Sequence, residues 1–206
     1  MTLANWIHPL LFSGSDPYAG YFVYETFTDD DGVILPNHNP EMDAEGGGWI
    51  NQFGIWDINT NQAALHASAG DGQCNAVIDA GVADCQIDCQ LNLFHKDAGL
   101  ILRSQDNNNY LMIATVAPQQ WHFYEKVAAG YNILISFNPL TVQDTAYVFR
   151  ITMLGDTFNV WLDGVPVLVD YVCARFQTET EHGLRIFSVT DGLDGTFFNY
   201  FHISAL

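Results

Sequence analysis

The segment Cys85-Gln86-Ile87-Asp88-Cys89-Gln90-Leu91-Asn92-Leu93 places an apolar residue at every odd position and a polar residue at every even one. Side chains alternate across a β-strand with a period of two, so this stretch reads as a strand with one face buried and the other in water. No part of the 206-residue chain sustains the 3.6-residue apolar period of an amphipathic helix. The chain therefore reads as all-β. Strands are expected at 21–27, 54–58, 63–67, 76–79, 85–94, 100–104, 110–116, 120–127, 131–137, 147–154, 157–162, 165–171, 183–187 and 196–204. Their spacing is that of hairpins and not of βαβ units. Asp163-Gly164 between two apolar runs is the strongest two-residue turn signal, because both residues tolerate positive φ.

Two segments stand outside this rhythm. Residues 1–19 hold Trp6, Ile7, Leu10, Leu11 and Phe12 without a strand partner in view, and residues 28–48 form a loop rich in Pro, Asp, Asn and Gly. The division expected is an N-terminal arm over 1–19 and a single β-sandwich domain over 20–206. An apolar arm of this kind is a docking device for a neighbouring subunit; the alternative is an N-terminal strand folded onto the same sandwich. The first residues lack the positive region and small-residue cleavage site of a secretory signal, and no apolar run approaches the roughly 20 residues that span a bilayer.

Charge narrows the partners. The chain carries 24 acidic residues against six basic ones, a formal charge of -18, and its first 95 residues contain 13 of the acids and none of the bases. Such a chain is repelled by nucleic acid and by anionic lipid. Aromatic residues at 14% argue against disorder. The four cysteines, Cys74, Cys85, Cys89 and Cys173, are too few for a disulfide scaffold. Cys85 and Cys89 would lie about 13 Å apart along one strand, too far to bridge. Buried thiols are expected, with a Cys74 to Cys89 cross-strand bridge as the exception.

Family likeness enters through TFTDDDGVILPNHNPEMDAEGGGWINQFGIWDI, from Thr26 to Ile58, and continues through AGLILRSQDNNNYLMI, FNVWLDGVPVLV, HGLRIFS and FFNYFHIS. In that order these segments resemble the concanavalin A-like lectin/glucanase jelly rolls of phage virion and bacterial surface proteins. The resemblance implies a two-sheet antiparallel jelly-roll sandwich. It leaves function open, because such sandwiches serve as lectins, sugar-cleaving enzymes, carbohydrate-binding modules and virion domains.

The glucanases of this type carry Glu-x-Asp-x-x-Glu on one strand, and the chain has no such motif. Its nearest pattern, Glu179-Thr180-Glu181, puts two acids on one face if extended, which a solvated connection also explains. No nucleophile elbow, phosphate loop or His-Glu-x-x-His is present, and the seven histidines, among them His95, are dispersed. The expectation is a protein that is not an enzyme. Asp29, Asp30 and Asp31 before Gly32 concentrate carboxylates in a tight loop. The resemblance implies a structural calcium held between this loop and an Asp on the last strand; here Asn199, a neutral oxygen donor, stands at that last-strand position, so Asp29, Asp31 and Asn199 are the candidate ligands, and Asp191 and Asp194 are other acidic contributors; a hydrated acidic loop is the plainer account. Alternation along 120–126 gathers His122, Tyr124 and Lys126 on one face, which Arg103 and Tyr110 would join as a candidate glycan-binding groove. The same pattern is what the wet side of a sheet presents.

Taken with the resemblance, the expected role is a non-catalytic virion component, a phage capsid-decoration or tail-associated protein assembled in the host cytoplasm and docked through its arm. A glycan-binding lectin-like module is the alternative, with a glycoside hydrolase or lyase behind it. Expected partners are other virion or surface-protein subunits and glycans, with self-association through the arm or a sandwich face as a further expectation.

Overall fold

A computed structural model of the chain describes residues 16–69, 72–93, 98–117, 119–139, 141–142, 144–187 and 196–206. The docking residues Trp6, Ile7, Leu10, Leu11 and Phe12, together with His95, Lys96, Asp191 and Asp194, lie outside the described residues. The strands in chain order are β1 (Tyr21–Glu25), β2 (Met42–Asp43), β3 (Trp49–Phe53), β4 (Ile55–Ile58), β5 (Ala63–Ala67), β6 (Gln73–Asp79), β7 (Cys85–Leu93) and β8 (Ala98–Asp106). They continue with β9 (Asn109–Ala117), β10 (Gln120–Val127), β11 (Gly130–Phe137), β12 (Thr145–Leu154), β13 (Thr157–Leu162), β14 (Val165–Val172), β15 (Glu181–Phe187) and β16 (Phe197–Ser204). The only helical element among the described residues is a single 3₁₀ turn at Leu35–Asn37, and no helix there is long and apolar enough to cross a membrane.

All pairings among the described residues are antiparallel. A nine-stranded sheet runs β14-β13-β12-β7-β16-β1-β2 with β4 and β5 attached through β16, and a seven-stranded sheet runs β11-β10-β9-β8-β15-β6-β3. The alternation that marked Cys85–Leu93 is realised: its odd residues are buried and its even ones half-buried. Asp163 and Gly164 take φ of 49° and 77°, the doubly positive turn that matches the twist of a hairpin. β2 and β3 are additions to the strands expected; Trp49–Phe53 lacks a period-two pattern and is made a strand by pairing with β6.

The two sheets meet through large rings, one from each side. Trp121 lies 4.7 Å from Phe149, Phe123 lies 5.1 Å from Phe158, and Trp49 lies 5.4 Å from Phe201, centroid to centroid. Burying side chains of this size contributes about 1.5–3 kcal/mol each, so these ring pairs hold the sheets together along with the aliphatic core around them. All four cysteines are buried, and none forms a disulfide. Burial pushes the Cys85 thiol up to about 12, which keeps it protonated and inert.

Candidate functional site

The outer face of the seven-stranded sheet is built from two cross-strand rows. Antiparallel register aligns Asn75, Arg185, Gly99, Ala114, His122 and Ser136 across β6, β15, β8, β9, β10 and β11. The neighbouring row is Val77, Gly183, Ile101, Met112, Tyr124 and Ile133. Residues between them in sequence, such as Leu100, Ile113 and Leu184, point into the core, so both rows face outward.

Gly99 and Gly183 leave the middle of this face without side chains. A Cβ on Gly99 would lie 1.9 Å from the Ile113 carbonyl oxygen, and one on Gly183 would lie 1.9 Å from that of Ala76. Only glycine fits strands that approach so closely. On the same face, at Ala114 and Arg185 to either side of Gly99 in the row, is a cavity of about 260 Å³ lined by Ala114, Met112, Val116 and Phe187, with Tyr124, Tyr131 and Arg185 among its walls.

Beneath the walls runs a partly buried polar network. Lys126 Nζ donates to Gln73 Oε1 at 2.7 Å and to the Asn107 carbonyl at 2.9 Å, and the Tyr131 hydroxyl donates to the same Gln73 oxygen at 2.7 Å. The hydroxyls of Tyr110 and Tyr131 are 3.2 Å apart, and Asn75 Nδ2 donates to that of Tyr110 at 3.2 Å. The Lys126 ammonium lies within 5.1–5.3 Å of the rings of Phe53, Tyr110 and Tyr131. Burial raises the Tyr110 phenol above its ordinary value, so it stays a neutral hydroxyl that donates and accepts. These bonds fix the Tyr131 ring before any ligand arrives, which lowers the ordering cost of binding.

Tyr110, His122, Tyr124 and Lys126 therefore share one face, but only Tyr124 lines the cavity. Lys126 is 1% exposed and acts from below, Tyr110 is buried over Val77 and Ile101, and His122 stacks on Tyr124 at 5.2 Å while its Nδ1 meets Ser136 Oγ at 3.1 Å. Arg103 does not join them. A register shift between Leu102 and Asp106 and a φ of 47° at Arg103 break the two-residue alternation. Its guanidinium instead enters the interior, where it is 0% exposed, and donates to the carbonyls of Ala83 and Gly155 and to Asp84 Oδ1 at 3.0 Å. Sequence reasoning missed Tyr131 and Arg185. The signal for Arg185 was a charged residue between Leu184 and Ile186, the alternation of a strand with one wet face.

The residues expected to hold calcium are engaged elsewhere. Asp29 Oδ2 pairs with His38 Nδ1 at 3.0 Å, Asp31 Oδ1 accepts the Thr60 amide at 2.6 Å, and the Asn199 amide bonds Gln62 and Gln90, each at 2.5 Å. Among the described residues no group of three or more His, Cys, Asp or Glu is placed to hold a metal ion. A carboxylate already facing an imidazole is a poor member of a six-to-eight-oxygen shell, so this set does not fit calcium as arranged. Glu179 and Glu181 do not form a strand-borne pair either. Glu181 opens β15, whereas Glu179 lies in the preceding turn and donates its amide to the Phe176 carbonyl.

A second hollow, of about 480 Å³, opens on the nine-stranded sheet beside Gln86, Asp88, Arg150, Thr152 and Trp161. It holds one aromatic ring, and its arginine is neutralised by Asp88 at 2.8 Å.

Comparison of the folded chain with solved structures places this architecture. It matches the carbohydrate-binding module CBM66 from Bacillus subtilis with a TM-score of 0.58 and 14% identity, over 74% of this chain and 91% of that one. It is an all-β sandwich of the concanavalin A-like jelly-roll type. The exoplasmic/lumenal domain of VIP36, in a form bound to Ca²⁺ and mannose, matches with a TM-score of 0.57 and 11% identity over 84% of this chain and 89% of that one. Bacillus licheniformis β-glucanase matches with a TM-score of 0.53 and 10% identity, over 91% of this jelly roll and 99% of the glucanase. No protein-family model and no curated protein matches the chain.

Proposed function

We propose that the protein is a non-catalytic glycan-binding module whose site is the groove on the outer face of the seven-stranded sheet. The carrying observation is that Tyr124 and Tyr131, rings 6.4 Å apart and nearly perpendicular, wall a cavity whose lining also includes Ala114, Met112 and Val116. A sugar ring has an apolar face that packs on an aromatic side chain and a rim of hydroxyls that needs fixed donors and acceptors, and this groove offers both. The fold likeness to a carbohydrate-binding module supports the reading by analogy. The described wall residues include no carboxylate, which supports binding without glycosidic cleavage, since hydrolysis usually needs two. The virion role expected from the arm rests on residues outside the described ones, and neither the fold nor the comparisons bear on it.

A glycan array followed by titration of the best ligand tests the reading. Saturable binding is expected, weakened about tenfold or more in Tyr124→Ala, a loss of roughly 1.4 kcal/mol. Binding unchanged in that variant would remove the groove from consideration.

A further inference from the structure

We infer that the groove selects glycans bearing an acidic group, a carboxylate or a sulfate, and that Arg185 is the residue that reads it. The inference rests on the glycan-binding reading above and specifies its ligand class.

Charge pairing sets one arginine apart from the others. Three arginines each hold a carboxylate: Arg150 with Asp88 at 2.8 Å, Arg103 with Asp84 at 3.0 Å and Arg175 with Glu125 at 3.1 Å. Arg185 is the exception among the described residues. Its hydrogen bonds run from Nη1 alone to two neutral acceptors, Asn75 Oδ1 at 3.1 Å and the Tyr110 hydroxyl at 3.5 Å. Yet it is 5% exposed, and acidic residues outnumber basic ones by 24 to six in the chain. Buried charges are ordinarily paired, because an ion removed from water without a counter-charge is costly. In so acidic a chain, a nearly buried arginine whose partners among the described residues are all neutral marks a place where the counter-charge comes from outside.

The geometry agrees. Arg185 lines the cavity, while Asn75 and Tyr110 hold Nη1 from the side of the network. The Nε and Nη2 edge makes no hydrogen bond to the described protein, and that edge is the fork a carboxylate or sulfate accepts in bidentate fashion. The Tyr131 ring lies 5.7 Å from the guanidinium carbon, so a sugar packed on this ring would bring its acidic substituent to the fork. Lys126, beneath the same ring, adds a second positive charge to the local field.

The test measures affinity for an oligouronate and for the same oligosaccharide with its carboxyl groups reduced to alcohols, and for a sulfated oligosaccharide with its desulfated form. The expected result is at least about tenfold tighter binding of one or both acidic forms, a preference that shrinks as salt rises and collapses toward one in Arg185→Gln. Arg150→Gln, on the opposite sheet, is expected to leave the preference intact. The wild-type ratio and its salt dependence decide the matter even if Arg185→Gln folds poorly. Equal affinity for acidic and neutral partners, with binding still dependent on Tyr124, would overturn the acidic preference and leave the glycan site standing. Absence of binding by every sugar would overturn both.

Discussion

Nε2 of His38 lies 3.1 Å from Oε1 of Glu25, a carboxylate with no exposure to solvent. The other Glu25 oxygen accepts the indole N–H of Trp49 at 2.9 Å, and the other nitrogen of His38 meets Asp29. Burial alone would push the His38 imidazole down, but its hydrogen bonds to Glu25 and Asp29 and their negative charge raise it from 6.5 to about 9. The group is therefore a cation at neutral pH.

Because the folded-state value is raised, the stability that His38 contributes is complete below about pH 6.5 and is lost as pH climbs through about 9. Urea unfolding from pH 6 to 10 should show wild type losing about 2–3 kcal/mol more than His38→Gln over that window. Comparing the two proteins separates His38 from buried thiols and phenols that also titrate at high pH. An identical slope in both would remove the imidazolium. With this cation facing Asp29, added calcium or a chelator should shift the unfolding temperature by no more than about 1 °C.

Arg103 ties β8 to the loop before β7 and to the turn between β12 and β13, by way of Ala83, Asp84 and Gly155. Replacement by Met keeps length and removes every donor. The expected loss is about 2–4 kcal/mol, since two carbonyls and a carboxylate lose a charged partner. Denaturant unfolding measures it, and a change below half a kcal/mol would show the arginine to be dispensable.

Gly99→Ala should destabilise the sandwich by about 1–3 kcal/mol, because the added methyl meets backbone that cannot turn aside. Gly47→Ala is the matched control, since nothing lies within 4 Å of the Cβ it would gain and its backbone is not in the left-handed region. Thermal unfolding of the two variants side by side is sufficient. Equal midpoints would mean that the strands around Gly99 are free to spread.

Much of the fold was legible because period-two alternation and two-residue turns are local. β7 and the Asp163-Gly164 hairpin were readable from neighbours along the chain. β3 was not, because its strand character comes from β6, more than twenty residues away. The candidate face was half legible. His122, Tyr124 and Lys126 share one strand and keep its parity, whereas Arg103 follows a bulge that no residue type announces. Arg185 acquires meaning only from the strand order β9-β8-β15-β6, which sets it beside Asn75 and Tyr110.

The enclosure of Lys126 has a chemical consequence. The chain contains two lysines, Lys96 and Lys126, and the ammonium of the second is bonded to Gln73 and Asn107 and ringed by Phe53, Tyr110 and Tyr131. An acylating reagent reaches that nitrogen only when these partners part and the amine sheds its proton. The rate at which Lys126 becomes acetylated, followed by mass spectrometry, is thus a clock for the opening of the groove wall, and a bound ligand that pins Tyr131 should slow it.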